Sequence, residues 1–169
     1  MEEEEGEGIW GRSYYEDGAY YEGEKKDGER HGQGKYYYKD GGIYDGQWKM
    51  GKIHGFGTLY YRNGNPAYKG EWKEEMFDGH GVIYNDEAQM DADFEYTDFD
   101  NLGESWKKYD GDFKNDTKDG MGKLYLEDGS WFEGTFLEDR VNGKGVFYTV
   151  DNERIEGEWK NNKLVHIYN

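Results

Sequence analysis

Tyr44-Asp45-Gly46-Gln47-Trp48, then Lys49 to Ile53, then His54-Gly55-Phe56-Gly57-Thr58-Leu59-Tyr60, closing at Asn63-Gly64, is the stretch that decides the fold. Tyr44, Gly46 and Trp48 alternate, so in a strand all three point to one face. Gly55 and Gly57 fall on one face of a second strand, beside Leu59. The residues between, Gly51 among them, suffice for a hairpin connection. Glycine among large aromatics is a poor strand former by itself. It makes sense where a ring from the neighbouring strand lies flat over the bare backbone. The stretch therefore predicts a hairpin with an aromatic-over-glycine face.

The unit recurs. Its leading residue is Tyr21, Tyr44, Tyr68, Tyr109, Phe132 and Ile155, at spacings of 23, 24, 41, 23 and 23. Two positions on stands a glycine each time: Gly23, Gly46, Gly70, Gly111, Gly134 and Gly157. Two further on come Trp48, Trp72, Phe113, Phe136 and Trp159, with Lys25 the exception in the first copy. The second strand carries Gly32/Gly34, Gly55/Gly57, Gly79/Gly81, Gly120/Gly122 and Gly143/Gly145. Three residues after the later glycine there is always a tyrosine: Tyr37, Tyr60, Tyr84, Tyr125 and Tyr148. A fixed period of this size marks a repeat array, in which each unit buries its face against its neighbours.

The pattern Tyr-x-Gly-x-Trp, then Gly-x-Gly, then Asp-Gly, on a 23-residue period, resembles MORN repeats over about residues 9 to 160. The resemblance implies an all-β fold, a row of short antiparallel hairpins forming a single-layer, elongated, twisted sheet with a shallow groove. Members of that family include ciliary radial-spoke components, myosin-binding adaptors, membrane-junction proteins and regions attached to lipid kinases. The motif thus fixes the fold far better than the job.

The expected organisation is an acidic, disordered tail at 1–8 and a single repeat domain at 9–169. The domain opens with a capping half-unit at 9–20, followed by repeats at 21–43, 44–67 and 68–86. An acidic insertion at 87–108 interrupts the period, repeats follow at 109–131 and 132–154, and a terminal half-unit with a capping strand fills 155–169. Turns between units are expected at Asp17-Gly18, Asp40-Gly41, Asn63-Gly64 and Asp128-Gly129. Pro66 cannot donate to a ladder and is placed in the third turn, outside any strand. The insertion mixes acids with rings: Asp93, Phe94, Tyr96 and Phe99. Two readings stand, a solvated loop whose removal leaves folding intact, or a partner-docking segment of the kind long loops often are.

Composition narrows the partners. The net charge of −17 opposes nucleic acid, whose phosphates such a surface repels. It equally disfavours an anionic membrane leaflet and favours a basic partner. Without cysteine there is no disulfide and no zinc–cysteine site. No apolar run approaches the roughly 20 residues of a membrane span, and the acidic start is the reverse of a signal peptide. The expected setting is cytoplasmic.

Nothing points to catalysis or to a cofactor or metal. His31 and His54 share a repeat position with Asp78, Asp119 and Asn142, which reads as a turn or strand-entry role. The glycine pairs precede no Gly-Lys-Ser/Thr and no helix-forming segment, so they are not a phosphate cradle. Serine is scarce, and none sits in a nucleophile elbow.

What remains is aromatic surface. A one-layer sheet has no second layer to cover its rings, so part of the set Tyr44, Trp48, Tyr60, Tyr68, Trp72, Tyr84, Tyr109, Phe113, Tyr125, Phe136 and Trp159 is expected to line an open groove. A basic amphipathic helix or extended segment fits such a groove. The expected function is a non-enzymatic scaffold docking protein partners in a larger assembly. The acidic start and Gly28-Glu29-Arg30-His31-Gly32-Gln33-Gly34 are similar to MORN proteins of the radial spoke head, which implies a ciliary axoneme or other cytoskeletal setting. The alternative is a membrane-associated module organising junctions or binding phosphoinositides. Pairing of two copies through terminal strands stays open.

Overall fold

The computed structural model describes residues 8–169, and these described residues are all-β: thirteen antiparallel strands in sequence order and a single turn of 3-10 helix. The acidic start expected to be disordered lies almost wholly outside the described residues. Two compact units divide the chain, one up to Met76 and one from Phe77 to Asn169. Unit 1 carries β1 (Ile9–Tyr14), β2 (Tyr20–Lys26), β3 (Glu29–Tyr37), β4 (Ile43–Lys49), β5 (Lys52–Tyr60) and β6 (Pro66–Lys73). Unit 2 opens in β7 (Met76–Tyr84) and continues with β8 (Trp106–Lys114), β9 (Thr117–Leu126), β10 (Trp131–Leu137), β11 (Arg140–Tyr148), β12 (Arg154–Lys160) and β13 (Lys163–Ile167). Pro66 is the first residue of β6 and not a turn residue, which corrects the expectation; a strand's first position is one that tolerates a missing N–H.

Within each unit the pairing aligns the glycines into a row across the sheet. In unit 1 the row is Gly11, Gly23, Gly34, Gly46, Gly57 and Gly70. In unit 2 it runs from Gly81 through Gly111, Gly122, Gly134 and Gly145 to Gly157. The leading rings lie down on this row. A Cβ added at Gly57 would stand 2.2 Å from the Tyr44 hydroxyl and 2.5 Å from its ring, and Tyr21, Tyr109 and Phe132 cover Gly34, Gly122 and Gly145 in the same way. Each such tyrosine hydroxyl donates to the carbonyl three residues on: Tyr21 to Glu24 at 2.6 Å, Tyr44 to Gln47 at 2.9 Å, Tyr68 to Glu71 at 2.6 Å and Tyr109 to Asp112 at 2.8 Å.

The two glycines of a pair turn out to serve different ends. Gly55 lies under no ring. It sits at φ +84° where the register of β4 against β5 shifts, so it supplies a left-handed bulge that L-residues resist. The amide freed there is taken by a side chain, Phe56 N–H donating to Gln47 Oε1 at 2.7 Å, as Gln33 N–H does to Glu24 at 2.8 Å. The hairpin connection is also shorter than the sequence suggested. Only Met50 and Gly51 turn the chain, both at positive φ, as a two-residue type I′ turn requires. Turns between repeats fall where expected, with Asp17, Asp40, Asn63 and Asp128 each accepting the N–H two residues on at 2.9 Å.

The shared His/Asp/Asn position links one repeat to the next within a unit. His31 Nδ1 accepts Met50 N–H at 3.4 Å, His54 Nδ1 accepts Glu74 N–H at 3.5 Å, and Asn142 Oδ1 accepts Asn161 N–H at 3.1 Å. Three side-chain types serve because the only demand is one acceptor at that distance.

Burial pushes the Tyr21 hydroxyl up to about 12, and raises Tyr44 and Tyr109 further still above their ordinary value. A group with a raised folded value contributes stability that is complete below its unfolded value and is lost as pH rises through the folded one. The sheet should therefore keep its full stability to about pH 10 and lose it progressively from there toward about pH 12, with Tyr21 protonated near pH 11 in molecules still folded. Tyrosinate absorbance against circular dichroism tests this. Free titration of every tyrosine near pH 10 with the sheet intact would refute it.

Candidate functional site

Side-chain alternation sorts the rings singled out from sequence onto two faces. Tyr44 pairs with Leu59 and Tyr109 with Leu124 and Ile83, so Tyr60, Tyr125 and Tyr84, each one residue on, point the other way. The remaining members share the ring face, with Tyr44, Trp48, Tyr68 and Trp72 in unit 1 and Tyr109, Phe113, Phe136 and Trp159 in unit 2. All eight are buried. They are not left open by the missing second layer, because ring covers ring edge to face. Trp48 stands between Tyr21 and Tyr44 at 5.4 and 5.2 Å, and Trp72 between Tyr44 and Tyr68 at 5.4 and 5.0 Å. Unit 2 repeats the herringbone with Phe136 between Tyr109 and Phe132, and Trp159 against Phe132 at 5.1 Å. Each T-shaped pair adds about 0.5–1.5 kcal/mol beyond its buried area.

The opposite face carries stacks that sequence reading did not assemble. Tyr20 lies parallel to Tyr37 at 4.2 Å and Trp131 to Tyr148 at 4.0 Å. The signal was available: the residue just before each leading ring pairs across the strand with the recurring tyrosine.

What stays accessible on the ring face differs between the units. In unit 1, Tyr15, Tyr38 and Tyr61 occupy one repeat position, each at the entry to an inter-repeat turn, with N–H groups bonded to Ala19, Gly42 and Asn65 carbonyls. Tyr15 and Tyr38 lean on Tyr36 from either side, at 5.7 and 4.8 Å. The Arg30 guanidinium lies in this cluster, 4.8 Å from the Trp48 ring and 5.2 Å from Tyr36, and donates to the Gly51 carbonyl at 2.9 Å. Burial raises the Tyr36 and Tyr38 hydroxyls, with Asp17 adding to the rise at Tyr36 and Glu75 and Asp40 to that at Tyr38, while Arg30 opposes it at both.

In unit 2 the insertion changes the picture. It is neither a solvated loop nor a free segment: it is a strap, closed at its base and laid over the ring face. Asn85 N–H donates to the Lys107 carbonyl at 2.9 Å, and Ser105 is fully buried there. From that base Phe99 reaches the herringbone, 5.2 Å from Phe132 and 6.3 Å from Trp159, and is only 4% exposed. Tyr96 stacks on Phe147 at 5.2 Å, Phe94 rests on Phe99 at 5.6 Å, and Asp93 stays exposed in a turn.

The strap also supplies hydrogen bonds that neighbouring repeats supply elsewhere in the sheet. Trp48 and Trp72 donate their indole N–H to the Gly34 and Gly57 carbonyls, but Trp159 donates to the Tyr96 carbonyl at 2.8 Å. Val141 N–H is accepted by the turn residue Asn162, whereas Leu164, at the same repeat position, donates to the Thr97 carbonyl at 2.9 Å. Lys163 pairs with Asp98 at 2.6 Å and Asp100 at 3.1 Å. Asn162 and Lys163 hold the Asp100 carboxyl below its usual range. The end of the sheet is thus capped from inside the chain.

The profile described as MORN repeat matches residues 21–43, 44–65, 68–86, 109–131, 132–154 and 156–165. This chain belongs to the MORN-repeat family. No curated protein matches it. The gap between the third and fourth MORN matches is the strap, and the last match ends at the edge the strap covers. MORN repeats are modules of protein and membrane interaction, and no helix among the described residues is long and apolar enough to cross a membrane.

Proposed function

We propose that this MORN-repeat chain is a non-enzymatic scaffold that docks a basic protein segment, an amphipathic helix foremost, on the ring face of unit 1. The observation that carries the reading is Arg30. A guanidinium already rests among Tyr15, Tyr36 and Trp48, so the surface is built to hold a cation against aromatic faces. The net charge of −17 steers such a segment in. A cytoskeletal assembly, the ciliary axoneme in particular, is the proposed setting, and it rests on the likeness of the Gly28–Gly34 stretch to radial-spoke proteins.

A synthetic amphipathic helix with arginines on one face and leucines on the other is the probe. The full chain should bind it at low salt and release it as salt rises, and Tyr15→Ser with Tyr38→Ser should weaken it at least about tenfold, the loss expected of interface anchors. A charge-inverted helix bound equally well would overturn the reading. Phosphoinositide vesicles bound in preference to the helix would favour the membrane alternative.

A further inference from the structure

Beneath the strap lies an open cavity of about 380 Å³, walled by Met90, Phe94, Tyr96, Phe147 and Val150, with Thr149 opening onto it. Asp128, Ser130, Glu95 and Thr97 form its polar rim. Its position in the repeat says what is missing. Thr149 N–H bonds to the Glu153 carbonyl, the same turn-entry bond that Tyr15, Tyr38 and Tyr61 make in unit 1. Phe147 likewise stands where Tyr36 stands, two residues before it on the same face. In unit 1 a tyrosine ring from this position packs on the neighbour, Tyr38 against Tyr36 at 4.8 Å. In the last complete repeat the position holds only threonine, and the space remains.

We propose that this cavity is a receptor for one aromatic side chain with a polar tip, a tyrosine of a partner segment. Its ring would pack beside Phe147 as Tyr38 packs beside Tyr36, and its hydroxyl would meet the polar rim. An apolar body against apolar walls with one hydrogen-bonding end is the chemistry of tyrosine, and leucine would leave the rim unanswered. Because Phe94 and Tyr96 of the strap form one wall, the occupant and the strap tighten each other. This site lies on unit 2 and stands independently of the basic-helix site on unit 1.

The probe is N-acetyl-tyrosinamide, titrated into the full chain and followed by amide NMR. Expected are saturable shifts confined to Thr97, Ser130, Thr149 and Val150, with N-acetyl-leucinamide giving at least about fivefold weaker ones. Thr149→Tyr, which fills the space from within, should abolish those shifts and raise Tm. Equal shifts with the leucine probe, or tyrosinamide binding that survives Thr149→Tyr, would overturn the proposal. A variant that fails to fold would also count against it, since a real vacancy accepts the ring. The basic helix should bind Thr149→Tyr as it binds wild type; its loss would bear on the unit 1 surface and not on this cavity.

Discussion

Gly57→Ala is expected to destabilise unit 1 by about 3 kcal/mol or more, near the top of what single substitutions do. The added methyl would stand 2.2 Å from the Tyr44 hydroxyl and 2.5 Å from the ring carbons Cε2 and Cζ. The obstacle cannot swing aside cheaply. Tyr44 is fully buried, held edge to face by Trp48 and Trp72, and its hydroxyl is tied to the Gln47 carbonyl. For a unit of this size the loss corresponds to a fall in Tm of roughly 12 °C or more. Gly51→Asn is the matched control. Gly51 has φ +82° and nothing within 4 Å of an added Cβ, and Asn162 holds φ +71° in the second position of a type I′ turn of unit 2. It should cost well under 1 kcal/mol, because asparagine tolerates the left-handed region. Equal thermal unfolding of the two variants would disprove the ring-over-glycine account.

Phe99→Ala should cost unit 2 about 3–5 kcal/mol, the usual range for a buried phenylalanine. Deleting Glu87 to Ser105 should cost more, reversing the expectation that the insertion is dispensable. The deletion uncovers Phe132, Phe147 and Trp159 together and removes the carbonyl that accepts the Trp159 indole N–H. An apolar ring lost is a transfer cost, whereas a buried donor without a partner adds its own penalty. Chemical denaturation followed by Trp fluorescence reads both. A deletion variant as stable as wild type would return the insertion to the status of a solvated loop.

The hairpins, the glycine row and the Asp/Asn-Gly turns between repeats were legible because each depends on residues within about 23 positions of one another, and the same arrangement is written several times over. Gly55 shows where local reading stops. Its place beside Gly57 suggested a shared face, and only the register shift between Gly46 and Trp48 reveals that it turns a bulge. The fate of the rings was harder to read. Tyr44 and Trp48 looked open in a single layer, and it took the orthogonal packing of Trp48 and Trp72 to show how a sheet can bury aromatics in their own company. The strap was the least legible element. Phe94, Tyr96 and Phe99 lie among acids, and nothing in one copy of a sequence pairs them with Phe147 and Trp159 some 50 to 60 positions later.

That distance along the chain bears on how the protein reaches its native state. The indole of Trp159 meets the strap across 63 residues and Lys163 across 65, while Trp48 and Trp72 reach their glycine carbonyls across 14 and 15. Closing a long loop is entropically slower than zipping a neighbour onto a neighbour. The hairpins should therefore assemble first, and the strap should close late, on a surface already formed. Its ring contacts would be weak in the folding transition state and would act mainly on the rate of unfolding. The strap is then a kinetic latch: it adds little to the speed of arrival and most of its effect to the lifetime of the folded chain.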